Sequence, residues 1–164
     1  MVETREEDLE VLDSKGVNVV HCPTSNLKLG CGIMPLHKLK ERGINICIGT
    51  DGSASNNSLN ILSEIKLASL LAKGITKDGS ILNAFEALEM ATINAAKALG
   101  LSNQIGSLEK KKYADIVAIS VNGIGSSPLF SPENQLVSKG GQNKVTDVWV
   151  NGKRLVKNCE LVTL

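Results

Sequence analysis

The strongest constraint on this chain is a unit that occurs twice. Lys15-Gly16 leads into Val17-Asn18-Val19-Val20-His21-Cys22, and Arg42-Gly43 leads into Ile44-Asn45-Ile46-Cys47-Ile48-Gly49. A cation followed by glycine is a common helix end. The short β-branched run after it suits a strand buried on both faces. Residues 3–14, with Leu9 and Leu12 on one face, read as the first helix; Pro35 opens the second, with Leu36 and Leu39 on its apolar side. Gly16 and Gly43 stand 27 residues apart, which suits one β-plus-α unit. Two buried strands joined through a helix pair in parallel. Both then run into polar loops at the same edge, residues 21–26, where Pro23 breaks the pattern, and residues 50–58. In parallel α/β folds that edge is where ligands bind.

Further along, residues 59–73 read as an amphipathic helix, residues 74–79 as a break, and residues 82–99 as an Ala- and Leu-rich helix closed by Gly100. The texture then changes. Residues 114–121 read as a strand and residues 122–143, rich in Gly, Ser, Pro and Asn, as a loop. Residues 145–150 and 153–156 read as a hairpin turned by Asn151-Gly152. The chain therefore divides into an α/β region, residues 1–104, and an all-β region, residues 105–164. A few strands make a poor domain alone, so the second region is expected to complete a sheet with strands from elsewhere.

Composition removes several classes of function. Lys and Arg number 18 against 17 Asp and Glu, a net charge of +1, which gives a polyanion nothing to hold. Phe85, Tyr113, Phe130 and Trp149 are too few to stack single-stranded bases, and Lys110-Lys111-Lys112 reads as an exposed turn. No nucleic-acid partner is expected. The acidic N-terminal stretch is unlike a signal peptide, and no apolar run nears the ~20 residues of a membrane span. Cys22, Cys31, Cys47 and Cys159 contain no closely spaced pair and read as reduced, core-filling thiols in a cytoplasmic protein. At 164 residues the chain is shorter than the ~250 of a complete (β/α)₈ barrel.

Asp51, in Gly49-Thr50-Asp51-Gly52 directly after the second strand, is the leading chemical candidate. A carboxylate there can ligate a metal or take a proton; it can equally start a turn or cap a helix. His21 ends the first strand and reads either as a hydrogen-bonded strand-end histidine or as part of the site. Asn26, Ser53, Ser55, Asn56 and Asn57 offer neutral hydrogen-bonding groups at the same edge, and His37 lies on the polar side of its helix. No phosphate-binding P-loop and no paired-histidine zinc helix is present. Ser25-Asn26-Leu27-Lys28 and Ser63-Glu64-Ile65-Lys66 both match the serine-lysine pattern of penicillin-binding enzymes, without its supporting motifs.

The composite of His21-Cys22-Pro23-Thr24-Ser25-Asn26-Leu27-Lys28-Leu29 and Gly49-Thr50-Asp51-Gly52-Ser53-Ala54-Ser55-Asn56-Asn57 is distinctive. It resembles the amidohydrolase superfamily, in the branch of 5-methylthioadenosine/S-adenosylhomocysteine deaminases and related chlorohydrolases. Glu64-Ile65-Lys66-Leu67-Ala68-Ser69-Leu70-Leu71, Ala91-Thr92-Ile93-Asn94-Ala95-Ala96-Lys97-Ala98-Leu99-Gly100 and Val145-Thr146-Asp147-Val148-Trp149-Val150-Asn151-Gly152 continue the likeness across nearly the whole chain.

The resemblance implies an α/β chain that is the C-terminal part of a (β/α)₈ metal-dependent hydrolase barrel. It would hold the last two barrel strands, followed by C-terminal strands of a β-sandwich. It implies zinc, with Asp51 as metal ligand and proton shuttle, and Ser55, His21 and Asn26 lining the substrate mouth. The substrate would be a nucleoside or purine-like small molecule of the methylthioadenosine or S-adenosylhomocysteine class, with guanine-like bases and chlorotriazines as alternatives. The family's other ligands, a His-x-His pair and a further histidine, would lie before residue 1. With His21 and His37 as its two histidines, this chain is expected to be inactive alone. It would be a homo-oligomer, or depend on a missing N-terminal region or a complementing partner.

Overall fold

The computed structural model describes residues 1–122 and 127–162. Helix α1 (Glu6–Ser14) begins later than the apolar spacing suggested, because Asp8 accepts the backbone N–H of Arg5 and sets the first turn there. Strand β1 (Val19–His21) follows Gly16, whose φ of 59° closes the helix in the left-handed region where a side chain would strain. Helix α3 (Leu36–Glu41) and strand β2 (Ile46–Ile48) repeat the arrangement around Gly43. The two strands pair in parallel, Val19 with Ile46 and His21 with Ile48. They are shorter than the apolar runs, but the doubled unit behaves as its spacing requires.

Four local readings are corrected. Residues 23–28 form a short helix, α2 (Pro23–Lys28), with proline in its first turn, where its missing N–H costs nothing. Helix α4 (Ile61–Thr76) passes straight through Gly74 and stops at Lys77 in the left-handed conformation. The single helix expected over residues 82–99 is two, α5 (Ala84–Ala91) and α6 (Ile93–Ala98), separated by Thr92 at φ −126°, ψ −96°. Finally, the stretch read as loop contains α7 (Pro132–Lys139), capped by Ser131, and a 3₁₀ turn at Gly140–Gln142. Residues 123–126 of that stretch lie outside the described residues. The region 105–164 is therefore not all-β.

The remaining strands, β3 (Ile116–Ser120), β4 (Lys144–Val150), β5 (Lys153–Lys157) and β6 (Glu160–Leu161), form an antiparallel sheet in sequence order. Asn151 and Gly152 both have positive φ, as the tight hairpin between β4 and β5 demands. The core gathers Leu9 of α1, Val19, Met34, Leu36, Leu39, Ile46, Ile48, Ile65 of α4, Leu82, Met90 of α5 and, from the second region, Val137 of α7. Among the described residues no helix is long and apolar enough to cross a membrane.

Candidate active site

The ladder β1–β2 ends with the Gly49 N–H donating to the His21 carbonyl at 3.0 Å. A Cβ on Gly49 would stand 2.8 Å from Cγ1 of Val20 and 3.1 Å from Sγ of Cys22, so a side chain there would have to displace both. Two residues later Asp51 takes φ 60°. Its carboxylate is held from three sides. The hydroxyls of Ser25, in α2, and Ser55, four residues downstream, each donate to Oδ2 at 2.7 Å, and the Gly52 N–H donates to Oδ1 at 2.8 Å. Hydrogen bonds from Ser55 first, then Ser25, then Gly52 hold the Asp51 carboxyl below the usual carboxylate range. Asp51 is exposed, so an ionised carboxylate in a set orientation faces the open edge.

Ser55, buried to 9% exposure, directs its hydroxyl at Asp51 and at the Gly52 carbonyl. Asn26 sits half-buried in α2; its N–H donates to the Cys22 carbonyl and its carbonyl accepts from the Cys31 N–H. His21 is 2% exposed, on the same face of β1 as Val19, while Val20 takes the open side. Its ring is therefore not offered to a ligand from the mouth. Burial lowers its pKa to about 4, and Nδ1 has no hydrogen-bond partner among the described residues.

Two further contacts tie α2 to the loop after β2. Lys28 Nζ donates to the Ala54 carbonyl and to Asn57 Oδ1. Deeper, the carboxylate of Glu64 accepts from the Thr24 N–H and the Asn56 side-chain amide. Ser25 and Glu64 were missed as site residues by reading the sequence. The signal for Glu64 was present: it falls in the buried stripe Glu64, Ile65, Ala68, Ser69, Ala72 of α4, where a carboxylate needs polar partners. Ser25 carried no comparable signal.

The cysteines divide. Cys47 is buried and Cys22 half-buried, and desolvation raises both thiols, but Cys31 and Cys159 are exposed and so are not core fillers. Among the described residues no group of three or more His, Cys, Asp or Glu side chains converges on a point that could hold a metal. A catalytic zinc takes about three protein ligands and a water. The residues described here fit one position of such a set, that of Asp51, and not the whole.

Residues 1–155 match the amidohydrolase family. Over all 164 residues the chain is 48% identical to a 5-methylthioadenosine/S-adenosylhomocysteine deaminase of Saccharophagus degradans, of which it covers 37%. It superposes with TM-score 0.95 on 37% of an adenosine deaminase from Xanthomonas campestris with bound zinc, at 40% identity over the whole chain. A variant of the atrazine chlorohydrolase of Arthrobacter aurescens, complexed with zinc and atraton, gives TM-score 0.91 at 31% identity; 99% of this chain and 36% of that one are covered. The chain thus spans little more than a third of the length of these relatives.

Proposed function

The chain belongs to the amidohydrolase family, and on that premise we propose that it carries the Asp51 half-site of a metal-dependent hydrolytic deaminase acting on adenosine-type substrates. The observation that carries this reading is the exposed, ionised Asp51, locked by Ser25 and Ser55 at the ligand-binding edge of a parallel strand pair. By the family resemblance, β1 and β2 are the last two strands of a (β/α)₈ barrel and β3–β6 belong to a flanking sandwich.

Asp51 Oδ2 accepts two hydroxyls and Oδ1 accepts only the Gly52 N–H, so Oδ1 keeps the greater acceptor capacity for a ligand. We assign Asp51 two roles: one protein ligand to a divalent metal, and the proton carrier of hydrolysis. A bound zinc lowers the pKa of a coordinated water toward ~7. Asp51 would take the proton released when the attacking water oxygen bonds to C6 of the purine. It would then pass that proton to the amino nitrogen; the C6–N bond would break, ammonia would leave, and the proton still on the new oxygen would move to the neighbouring ring nitrogen, so that C6 ends as a carbonyl. Ser25 and Ser55 hold the carboxylate in line through both transfers. Asn26 stays a candidate for the rim of the substrate mouth; Ser55 acts through Asp51. The 48% identical relative is a 5-methylthioadenosine/S-adenosylhomocysteine deaminase and a 45% identical one is a 5'-deoxyadenosine deaminase, which favours adenosine-type substrates over guanine-like bases or chlorotriazines.

A second reading has its own observation. Among the described residues no three-ligand cluster forms, so a catalytic zinc would need ligands besides those of the described residues. Activity then depends on ligands from further sequence or from a partner chain. The test is ammonia release from methylthioadenosine or S-adenosylhomocysteine by the natural polypeptide that carries this sequence, loaded with zinc. Asp51→Asn is expected to lower kcat by about 10²–10⁴-fold and to reduce zinc occupancy. Normal turnover and normal zinc in that variant would remove Asp51 from both roles.

A further inference from the structure

We propose that Glu64 is a positioning residue for Asp51: a buried carboxylate that sets both serine hydroxyls by gripping the residue beside each. Its importance to turnover rests on the reading of Asp51 above. Glu64 is 0% exposed on α4. Its Oε2 accepts the Thr24 N–H at 3.0 Å and its Oε1 accepts the Asn56 Nδ2–H at 2.8 Å. Thr24 is the neighbour of Ser25, and Asn56 is the neighbour of Ser55. Ser25 and Ser55 are the two residues whose hydroxyls converge on Asp51 Oδ2. One side chain therefore spans the two β–α units, a single residue removed from each hydroxyl.

The backbone does not do this work. The last registered pair of the parallel ladder is His21 with Ile48, closed by the Gly49 N–H. Beyond it, side chains hold α2 against the loop after β2. Lys28 is one link, but it is exposed, and exposed polar links are weak and easily exchanged for water. Glu64 is shielded, and a buried acceptor with two N–H donors is stiff and costly to disturb. Asn56 is itself 1% exposed. Its Oδ1 accepts from the Ser58 N–H and hydroxyl, both at 3.2 Å, which turns its amide nitrogen toward Glu64. The buried stripe of α4 is otherwise Ile65, Ala68, Ser69 and Ala72, with Glu64 its one ionisable member. The carboxylate is explained by what it holds. Loss of this grip frees α2 and the loop to drift, and reacting groups misplaced by about 1 Å lose rate steeply.

The experiment compares three forms of the chain: unsubstituted, Glu64→Gln, and Glu64→Gln with Asn56→Asp. Glutamine turns an amide nitrogen against that of Asn56. Aspartate at 56 accepts from it and still accepts from Ser58, so the double variant keeps the Thr24 and Ser58 bonds and restores the bond between positions 64 and 56 with its direction reversed. The readout is the carboxyl-carbon resonance of Asp51 at neutral pH, with urea unfolding measured in parallel. Glu64→Gln is expected to shift that resonance, and the double variant to return it. A folded Glu64→Gln chain with Asp51 unmoved overturns the proposal, since a merely structural residue alters stability alone. If the single variant does not fold, the double variant decides: an unshifted Asp51 resonance supports the proposal, and a displaced one or a failure to fold overturns it. In the deaminating polypeptide, Glu64→Gln should lower kcat by about 10–100-fold, the range for residues that orient a ligand from behind, with KM little changed and kcat recovered in the double variant. A shifted resonance in a polypeptide that deaminates nothing would sink the functional reading and leave the positioning role standing.

Discussion

The two sheets of this protein are built from similar β-branched residues and buried in opposite ways. In β2 all three residues are buried, and in β1 Val19 and His21 are. In β3, β4, β5 and β6 no residue is fully buried. Parallel strands need helices over them because their crossovers supply those helices; here α1, α3, α4 and α5 contribute Leu9, Leu39, Ile65 and Met90 to the cover. The antiparallel sheet meets the helices across an open cleft of about 660 Å³, lined by Leu62, Ile65, Leu88, Leu136, Val145 and Val148. The contrast teaches where stability and chemistry separate. The tight region carries Asp51 at its edge, and the loose region is joined to it by α7 and the turn after it, which pack on α4 and α5 and bury Val137 in the shared core.

The comparison can be broken first by core truncation. Leu39→Ala, at a position 0% exposed, should cost about 2–5 kcal/mol. Val156→Ala, half-buried in β5, should cost about 1 kcal/mol. Equal urea midpoints for the two variants would mean that the sheets share one core after all.

Acid sharpens the same contrast. The unfolded chain protonates His21 near 6.5, whereas burial holds the folded pKa at about 4. Between those values the unfolded state binds the extra proton, so stability falls as pH is lowered and is restored as it rises. The loss amounts to about 3 kcal/mol once both forms are protonated, and it originates in the tight region. Unfolding curves for His21→Leu should show a flatter acid limb. A limb as steep as the parent's would assign acid sensitivity to other groups.

Helix caps should erase the contrast, because their energetics are local. Asn83 accepts the Glu86 N–H while Glu86 accepts that of Asn83, at the start of α5. Ser131 accepts the Asn134 N–H at the start of α7. Alanine at either position should cost about 1 kcal/mol. A Ser131→Ala effect near zero in thermal unfolding would show that α7 is held by its burial of Val137 alone.

Much of this organisation was legible. Lys15-Gly16 and Arg42-Gly43 marked helix ends, the β-branched runs after them marked strands, and the polar stretch after the second strand marked Asp51. Helix α7 was missed within a stretch read as loop, although Ser131-Pro132-Glu133 carries a signal, a cap followed by a first-turn proline and a first-turn acid, that its Gly- and Ser-rich surroundings masked. The break at Thr92 was not, since Ala- and Leu-rich flanks on both sides favour helix continuation. The exposure of Cys31 and Cys159 was hidden for a different reason: residue type states a preference for burial, and only the packed chain states which side of an element faces water.

By itself, then, the sequence determined what depends on near neighbours: the doubled strand-and-helix unit, its parallel pairing, the Asn151-Gly152 hairpin, and a carboxylate at the end of β2. These follow from backbone preferences and side-chain periodicity, which act over a few residues. Tertiary structure alone decided that Ser25 would meet an aspartate 26 residues away, that His21 would turn inward from the mouth, and that Glu64 would reach both α2 and the loop after β2 from a third element. Such meetings depend on how α2, the loop after β2 and α4 are brought together, and hydrogen bonds a few tenths of an ångström wide in tolerance leave no periodic trace in the chain.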